Sequence, residues 1–430
     1  MIMRVTIVTF GSHGDVRPYV ALSLGLKRSG HEVRLASWDS EQEFVSSFGV
    51  EFVSMEWNEP TTIPEWISIF GLLTNTINST IYSYHNIKNG LLDELWRVCQ
   101  GAEAIIFNGT SFPCYYIAEK LGIPCYAAPM QTYHQTRAFP SAAMTDGKPL
   151  GSIYNWLSHP FFNQFFWQSV RQTINQWRKE TLNLPPLPFW KGVVHQMQEQ
   201  KIPFLYGYSP YFLPKPSEWT DDFIHITGYW YLDTSETWQP PNNLMNFLSA
   251  GPAPIYISQI WHRERLGKEM VLKLLALTGQ RIIVQGLDDD LCDIDLTDKL
   301  FYIKGLIPHE WLFPKMALVI HHGGLGTTMS SLRAGVPVIA IPIHLLTDQA
   351  FWVLQLANLG LGIPLILQQN EQLSAERLAE AIKIAINDNA MQDRVAEISK
   401  KIQDENGVQQ AVEAFNQHLP SNQHQNPIKF

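Results

Sequence analysis

The sequence has few charged residues and no block of lysine and arginine. Charged side chains make up 17% of its 430 residues, and 40 acidic residues against 31 basic ones give a net charge of −9. Because proteins bind DNA and RNA phosphates through clustered basic residues, this balance argues against a nucleic-acid partner. Hydrophobic residues reach 45% and aromatic residues 12%, so we expect a globular chain that is long enough for two domains.

Cysteines are scarce, and they form neither a CxxC pair nor a disulfide framework. Cys99, Cys114, Cys125 and Cys292 are therefore expected to be free thiols, which predicts a cytoplasmic protein. Long apolar runs are also missing, and the first one breaks at Gly11, so we expect neither a transmembrane helix nor a signal peptide. Peripheral contact with a membrane surface stays open.

Strand and helix patterns alternate in both halves of the chain. Arg4 to Phe10 predicts a strand, Val16 to Ser29 a helix and Glu32 to Ala36 the next strand, and the same pattern resumes beyond residue 254. This alternation predicts an α/β protein with two Rossmann-like, doubly wound domains that face each other across a cleft. We predict an N-terminal domain over 1–215, a linker over 216–241, a C-terminal domain with a closing helix over 242–416 and a flexible tail over 417–430.

The strongest candidate site is the segment from Leu318 to Thr328, where an apolar strand runs into a glycine-rich turn that opens a helix. Glycines let the backbone approach a ligand, and the amides and dipole of a helix start favour phosphate. His322 and the hydroxyls of Thr327 and Thr328 add donors, so we predict a diphosphate site. A tight turn without a ligand is the alternative.

Two carboxylates lie in turns that are expected to face the same cleft. Asp348, beside Gln349, follows the next strand of the second half and suits the hydroxyls of a sugar, although it could be an ordinary helix-start residue. Asp15 follows the first strand, in a turn that lacks the GxGxxG fingerprint of dinucleotide sites. It could remove the proton of an acceptor hydroxyl, or it could simply cap the helix.

Four segments carry a resemblance to a known family. They are GSHGDVRPYVALSLGLKRSGHEV over 11–33, PHEWLFP over 308–314, HHGGLGTT over 321–328 and GVPVIAIPIHLLTDQAFWVLQLANLGLG over 335–362. The chain resembles the inverting glycosyltransferases of GT-B fold, the UDP-glycosyltransferase superfamily, over nearly its whole length. The pairing of PHEWLFP with HHGGLGTT is most similar to the branch of sterol and glycopeptide glycosyltransferases.

This resemblance implies roles for the residues at matching positions. His322 and its turn would hold the donor diphosphate, and the Asp-Gln pair would bind the donor sugar. The loop from Leu306 to His309 would lie against the nucleotide base, and Asp15 would be the acceptor base. The implied donor side comprises Leu306, His309, His322, Gly323, Gly324, Gly326, Thr327, Thr328, Asp348 and Gln349. The implied acceptor side comprises Gly11, Ser12, His13, Asn108 and Gln131.

The chain departs from the family in two turns. Ile257 to Arg265 replaces a Gly-Ser turn that touches the phosphates in relatives, and Gln285 to Asp290 replaces a TGWGG-like turn. Ser258 or Arg263 could supply the missing phosphate contact. The aromatic run from Tyr154 to Trp167 could line an acceptor pocket, touch a bilayer or pack inside the first domain.

The resulting expectation is a metal-independent hexosyltransferase without a cofactor, which uses a nucleotide-sugar as co-substrate. Asp15 and His322 would be the catalytic residues, UDP-glucose the donor, and a hydrophobic small molecule such as a sterol or another lipid the acceptor. Neighbouring His321 and His322 do not predict a metal site, because no third ligand is evident. The alternatives are a degenerate nucleotide-sugar or lipid-binding protein of the same fold and a nucleotide-sugar epimerase.

Overall fold

The structure is a computed structural model that describes residues 2–56, 90–145, 150–233, 238–258, 268–286, 298–342, 348–367, 371 and 373–420. Parallel sheets dominate both halves of the chain. Within the described residues, no helix is both long and apolar enough to span a bilayer.

The first half folds around a seven-stranded parallel sheet in the order β3-β2-β1-β4-β5-β6-β7. Its strands are β1 (Arg4–Val8), β2 (Glu32–Trp38), β3 (Glu51–Met55), β4 (Ala104–Phe107), β5 (Cys125–Ala127), β6 (Phe204–Tyr206) and β7 (Ile224–Ile226). Among the described residues, the α-helices of this half are α1 (His13–Arg28), α2 (Gln42–Ser47), α3 (Leu92–Val98), α4 (Cys114–Leu121), α5 (Ser152–Glu180) and α6 (Val193–Glu199).

The second half folds around a six-stranded parallel sheet in the order β10-β9-β8-β11-β12-β13. Its strands are β8 (Ile255–Ser258), β9 (Ile282–Gly286), β10 (Leu300–Lys304), β11 (Leu318–His321), β12 (Val338–Ala340) and β13 (Gly362–Pro364). The helices that follow β7 are α7 (Asn242–Ser249), α8 (Lys268–Thr278), α9 (His309–Leu312), α10 (Leu325–Arg333), α11 (Asp348–Asn358), α12 (Ala375–Asn387), α13 (Asn389–Gln403) and α14 (Gly407–Gln417).

The central strands β4 and β11 are buried along their whole length because helices cover both faces of each sheet. All four residues of β4, AIIF, are buried, and so are those of β11, LVIH. Strands buried on both faces are typical of parallel sheets in doubly wound folds. The predicted α/β class with two Rossmann-like domains is confirmed by this topology.

Two placements differ from the predicted domain limits. The strand Ile224–Ile226 lies within the predicted linker, yet it pairs with β6 as the edge of the first sheet. The closing helix α14 packs on the first domain, where Phe415 lies in the same apolar cluster as Val5 and Leu22. The physical reason is that an amphipathic helix can bury its apolar face on either domain, so its pattern does not choose between them.

The contact between α14 and α1 explains a glycine in the middle of a helix. A Cβ added to Gly25 of α1 would lie 2.3 Å from Cγ1 of Val408, so only glycine lets the two helices come this close. Farther along, the Tyr126 hydroxyl donates to the carbonyl of Phe415 at 3.1 Å. The end of the chain therefore ties the second domain back to the first.

The remaining general expectations concern the cysteines and the tail. Cys99, Cys114 and Cys125 are free and buried, and Cys292 lies outside the described residues. Of the predicted tail, residues 417–420 are described, and a ring nitrogen of His418 lies 2.8 Å from one of His225. Residues 421–430 lie outside the described part of the chain.

We predict that Gly25→Ala destabilises the protein by about 1–3 kcal/mol, because the new methyl group must displace Val408. Gly14→Ala in the same helix is the matched control, since the atom nearest to its added Cβ is Ser12 Oγ at 3.6 Å. That control should be neutral or stabilising, because alanine is the better helix former. Chemical denaturation of both variants checks the prediction, and equal stability of the two would contradict the close helix contact.

Candidate active site

The two predicted turns follow the central strands of the two sheets. The first turn joins β1 to α1, and the second joins β11 to α10. In parallel sheets, the carboxyl ends of the strands lie at one edge, and that edge is where open α/β folds bind ligands. A salt bridge crosses between these regions, with Arg17 of α1 donating to Glu310 of α9 at 2.6 Å. Both turns therefore border one interdomain cleft.

The carboxylate of Asp15 is fixed by the residue that caps its helix. Its Oδ2 atom accepts hydrogen bonds from the backbone N–H and from the hydroxyl of Ser12, each at 2.8 Å. Gly11 has a φ of +141°, and a Cβ added there would lie 2.6 Å from this Oδ2. Ser12 thus holds Asp15 in place, and Gly11 leaves room for its carboxylate. Asp15 can therefore take part in the helix cap and border the cleft at the same time.

The charge of Asp15 acts on Asp348 across the cleft. Burial, followed by the charge of Asp15, raises the pKa of Asp348 to about 6. Burial also raises the pKa of Asp15, whereas the two hydrogen bonds from Ser12 lower it. A carboxylate with a raised pKa is a stronger base, so the environment of Asp15 suits the removal of a proton from a hydroxyl.

An apolar cavity of about 310 Å³ opens beside these carboxylates. Aromatic side chains dominate its wall, and four predicted site residues also line it. The aromatic residues include Phe10, Trp38, Phe107, Phe112, Phe162 and Phe166, and the predicted residues are Gly11, Asn108, Gln131 and Asp348. Its volume and lining are typical of sites for hydrophobic small molecules.

Asn108 and Gln131 have structural partners as well as a place in the cavity wall. The side chain of Asn108 donates to Thr9 Oγ1 at 3.0 Å and accepts from Ser111 Oγ at 2.7 Å. The amide of Gln131 donates to the hydroxyl of Tyr133 at 2.7 Å. These bonds fix both residues, so they shape the cavity that an acceptor would enter.

His321 and His322 have different tasks at the start of α10. His321 is fully buried, and its Nδ1 accepts the backbone N–H of Gly323 at 3.0 Å, which stabilises the turn. His322 is half-buried and folds over the helix start, where a Cβ added to Gly324 would lie 2.5 Å from its Nε2. The imidazole that faces the predicted diphosphate position is therefore that of His322.

The glycines and threonines of this turn also differ in their contacts. Gly323 has a φ of +87° and lies against Val353, while a Cβ added to Gly326 would come within 3.0 Å of the Tyr229 hydroxyl. The hydroxyl of Thr328, expected to be a donor to a ligand, has a partner within the helix. Thr328 is buried, and its hydroxyl donates to the carbonyl of Gly324 at 2.9 Å, as helix threonines often do. Thr327 remains half-buried beside the turn.

The loop predicted to face a nucleotide base contains one exposed and one half-buried side chain. Leu306 is 68% exposed, which leaves an apolar surface beside the cleft. His309 stacks on Phe313 with ring centroids 4.2 Å apart. Burial, followed by the charges of Arg17 and His13, lowers the pKa of His309 to about 3. His309 is therefore neutral at physiological pH, and it lies near Arg17 and His13, which belong to the first domain.

Two contacts in the cleft were not predicted from the sequence, one between His13 and Glu41 and one between Arg17 and Glu310. Nδ1 of His13 lies 2.9 Å from Oε2 of Glu41, and its ring lies edge-on against Phe44. Glu41 comes just after β2, so the rule that adjacent parallel strands end at one edge could have found it. Arg17 and Glu310 belong to two of the resemblance-bearing segments, but only the fold brings them together.

Several predicted features fall wholly or partly outside the described residues. These are residues 259–267 and 287–290 of the two departing turns and residues 343–347 just before Asp348. Gln349 is described within α11, next to Asp348, and is half-buried. Within the described ranges, no three histidine, cysteine, aspartate or glutamate side chains group as metal ligands would.

Comparison with protein families places a different match on each half of the chain. Residues 5–140 match the N-terminal domain of glycosyltransferase family 28. Residues 271–414 match the C-terminal domain of proteins like erythromycin biosynthesis protein CIII. The two matches cover the two turns that border the cleft.

Fungal sterol 3-beta-glucosyltransferases are among the similar proteins. The chain is 32% identical to that of Candida albicans over 97% of its own length and 28% of the relative's. It is 31% identical to that of Saccharomyces cerevisiae over 96% of its length and 35% of the relative's. The chain thus spans about a third or less of these relatives.

Solved glycosyltransferases share the fold at low sequence identity. The glycosyltransferase of kitacinnamycin superposes with a TM-score of 0.70 at 15% identity, over 97% of this chain and 99% of that one. The calicheamicin glycosyltransferase CalG4 gives 0.68 at 17% identity, over 97% and 98% of the two chains. VinC, solved in complex with dTDP, gives 0.60 at 16% identity, over 96% and 99%.

We predict that Asp348→Asn stabilises the protein at pH 7.5 but not at pH 4. Because the folded-state pKa of about 6 lies above the ordinary 3.8, stability falls as the pH rises through this window. Removing the charge should recover about 2 kcal/mol above it. Thermal unfolding of wild type and variant at both pH values measures the effect. Exposed Asp393→Asn is the control, and a gain that is equal at both pH values would contradict the buried carboxylate.

Proposed function

We propose that this chain, which belongs to the glycosyltransferases of GT-B fold, is a hexosyltransferase that moves glucose from UDP-glucose to the hydroxyl of a sterol-like or other lipid acceptor. The single observation that carries the proposal is the aromatic cavity that ends at Asp348, beside Asp15 and across from the glycine-rich helix start. An apolar acceptor and an anionic donor would meet there. The relatives named as sterol 3-beta-glucosyltransferases support the choice of acceptor and sugar.

The donor would bind on the second domain. The amides at the start of α10 and the imidazole of His322 would hold the diphosphate, because a helix start favours anions. Asp348 and Gln349, at the start of α11, would bind sugar hydroxyls. The exposed Leu306 would give the base an apolar contact. No metal ion or further cofactor enters this proposal.

The acceptor would lie in the aromatic cavity of the first domain with its hydroxyl at Asp15. Asp15 takes the proton of the hydroxyl as the oxygen attacks the anomeric carbon from the face opposite the diphosphate. The bond from that carbon to the diphosphate oxygen breaks, and the nucleoside diphosphate leaves with the bonding electrons. His322 and the helix amides stabilise its negative charge, and the configuration at the anomeric carbon inverts.

Two other functions remain as alternatives to this proposal. A protein that binds a nucleotide-sugar or a lipid without turnover is one, because the chain departs from the family pattern between Ile257 and Arg265. A nucleotide-sugar epimerase is the other, although it would not need an aromatic acceptor cavity. We further propose that the protein acts in the cytoplasm, in peripheral contact with the membrane that contains its acceptor.

The direct experiment is mass spectrometry of products after incubation with UDP- and dTDP-hexoses and a panel of sterols, hopanoids, carotenols and phenols. We expect a product one hexose heavier than its acceptor. Asp15→Asn should lower kcat by about 10²- to 10⁴-fold, the usual contribution of a general base. His322→Ala should weaken donor binding and turnover, whereas exposed Asp93→Asn should change neither.

The other outcomes separate the alternatives. Measurable donor binding without any hexose product would contradict transferase activity and favour the binding protein. Isomerisation of the nucleotide-sugar in the absence of an acceptor would favour the epimerase.

A second prediction tests the acceptor cavity. Val194 of α6 lines it, so Val194→Trp should fill it and raise the KM for the acceptor at least tenfold. The dissociation constant for the nucleotide-sugar should stay unchanged, because Val194 belongs to the first domain and the proposed donor residues belong to the second. His195→Trp is the matched control, since the neighbouring His195 is exposed. Unchanged acceptor kinetics in Val194→Trp would place the acceptor elsewhere.

A further inference from the structure

Helix α5 has an unusual exposed face along its first half. Ile153, Leu157, Phe161 and Phe165 recur at every fourth position, and all four are exposed. Residues four apart lie on the same side of a helix, so these side chains form one continuous row, here called the apolar stripe. Leu157 is 57% exposed and Phe161 62% exposed.

The second half of the same helix provides an internal comparison. There the exposed positions are Gln172, Gln176, Lys179 and Glu180, as expected for a helix face that meets water. The buried positions of that half, such as Ile174 and Trp177, pack in the core of the first domain. The apolar stripe is thus a local feature, confined to about four turns of one helix.

A loop adds two aromatic side chains to the exposed apolar residues of this region. Phe189 is 45% exposed and Trp190 is 76% exposed. The loop lies against α5, because the amides of Gln164 and Gln168 both donate to the carbonyl of Phe189, at 3.1 and 2.7 Å. Large contiguous apolar surfaces on a folded protein usually mark an interaction site.

The inner side of the same helix segment lines the aromatic cavity. Phe162, Asn163 and Phe166 belong to the cavity wall, and they alternate along the helix with the exposed Phe161 and Phe165. One short helix segment therefore separates the cavity from the exposed apolar surface. A hydrophobic molecule that leaves a bilayer at the apolar stripe would be next to the cavity.

The charges of this region differ from those of the whole chain. Although the chain has a net charge of −9, the segment from Leu150 to Gln200 has two acidic residues, Glu180 and Glu199, against four arginines and lysines. Arg171 lies over the ring of Phe189 at 5.4 Å, and Arg137 lies over the ring of Trp156 at 5.0 Å. Basic residues beside exposed aromatic ones complement the anionic headgroups of a bilayer.

We propose that the apolar stripe, together with Phe189 and Trp190, docks the protein on an anionic lipid bilayer from which the acceptor enters the aromatic cavity. The entry of the acceptor rests on the proposed function, whereas docking itself does not. Apolar side chains would enter the boundary between headgroups and acyl chains, and the neighbouring arginines would meet lipid phosphates. A second copy of the chain is the competing occupant, and the experiment separates it.

The experiment compares wild type with the double variant Leu157→Gln and Phe161→Gln. Neither residue lines the cavity, and both are exposed, so the variant should keep its fold and its affinity for the nucleotide-sugar. Gln172→Ala with Gln176→Ala, on the polar half of α5, is the matched control. Binding is measured by flotation with vesicles of phosphatidylcholine and phosphatidylglycerol. Glucosylation is measured with sterol in these vesicles and with sterol carried by cyclodextrin.

We expect the double variant to lose vesicle binding and vesicle-dependent glucosylation at least tenfold, and to keep the cyclodextrin-dependent rate. Wild type that does not float with the vesicles would overturn the proposal. So would a wild-type dimer, seen by analytical ultracentrifugation, that the double variant dissociates. If docking is lost in the variant but no sterol is glucosylated in either presentation, the proposed function fails while the docking surface stands.

Discussion

The arrangement of the cleft depends on one constraint: both parallel sheets end, at their carboxyl edges, on the same gap between the domains. This brings a carboxylate from each domain to the same gap, where burial together with the charge of Asp15 raises the pKa of Asp348. The carboxyl edge of the second sheet also places the glycine-rich start of α10 on the side of the gap that belongs to the second domain. The carboxylate that we propose as the base, the helix start that we propose for the donor diphosphate and the apolar cavity thereby border one space, as the proposed glycosyl transfer requires.

Contacts that cross between the domains keep these groups facing each other. Arg17 reaches Glu310, and Phe139 of the first domain lies 5.5 Å from Phe351 of the second. The last helix then crosses back onto α1 at Gly25. The two domains are thus connected by a salt bridge, by a contact between two aromatic rings and by the last helix, which packs on α1.

The sequence predicted the strands, the α/β class and the two turns, because buried parallel strands and glycine-rich helix starts have local signatures. It did not predict that Thr328 bonds to its own helix, since a threonine near a helix start can donate to backbone or ligand. The contact of His13 with Glu41 joins residues 28 positions apart and depends on strand order. The packing of the last helix on the first domain was not predicted for the same reason: its amphipathic pattern indicates burial but not the partner.

The most direct test of this account is a pH titration of the Asp348 carboxyl by NMR of carboxyl-labelled protein, in wild type and in Asp15→Asn. We expect a pKa of about 6 in wild type and a lower value in the variant, because part of the upward shift comes from the charge of Asp15. An ordinary pKa in wild type would mean that Asp348 is not buried in the cleft. A raised pKa that Asp15→Asn leaves unchanged would mean that the two carboxylates do not face each other, and the central claim would be contradicted.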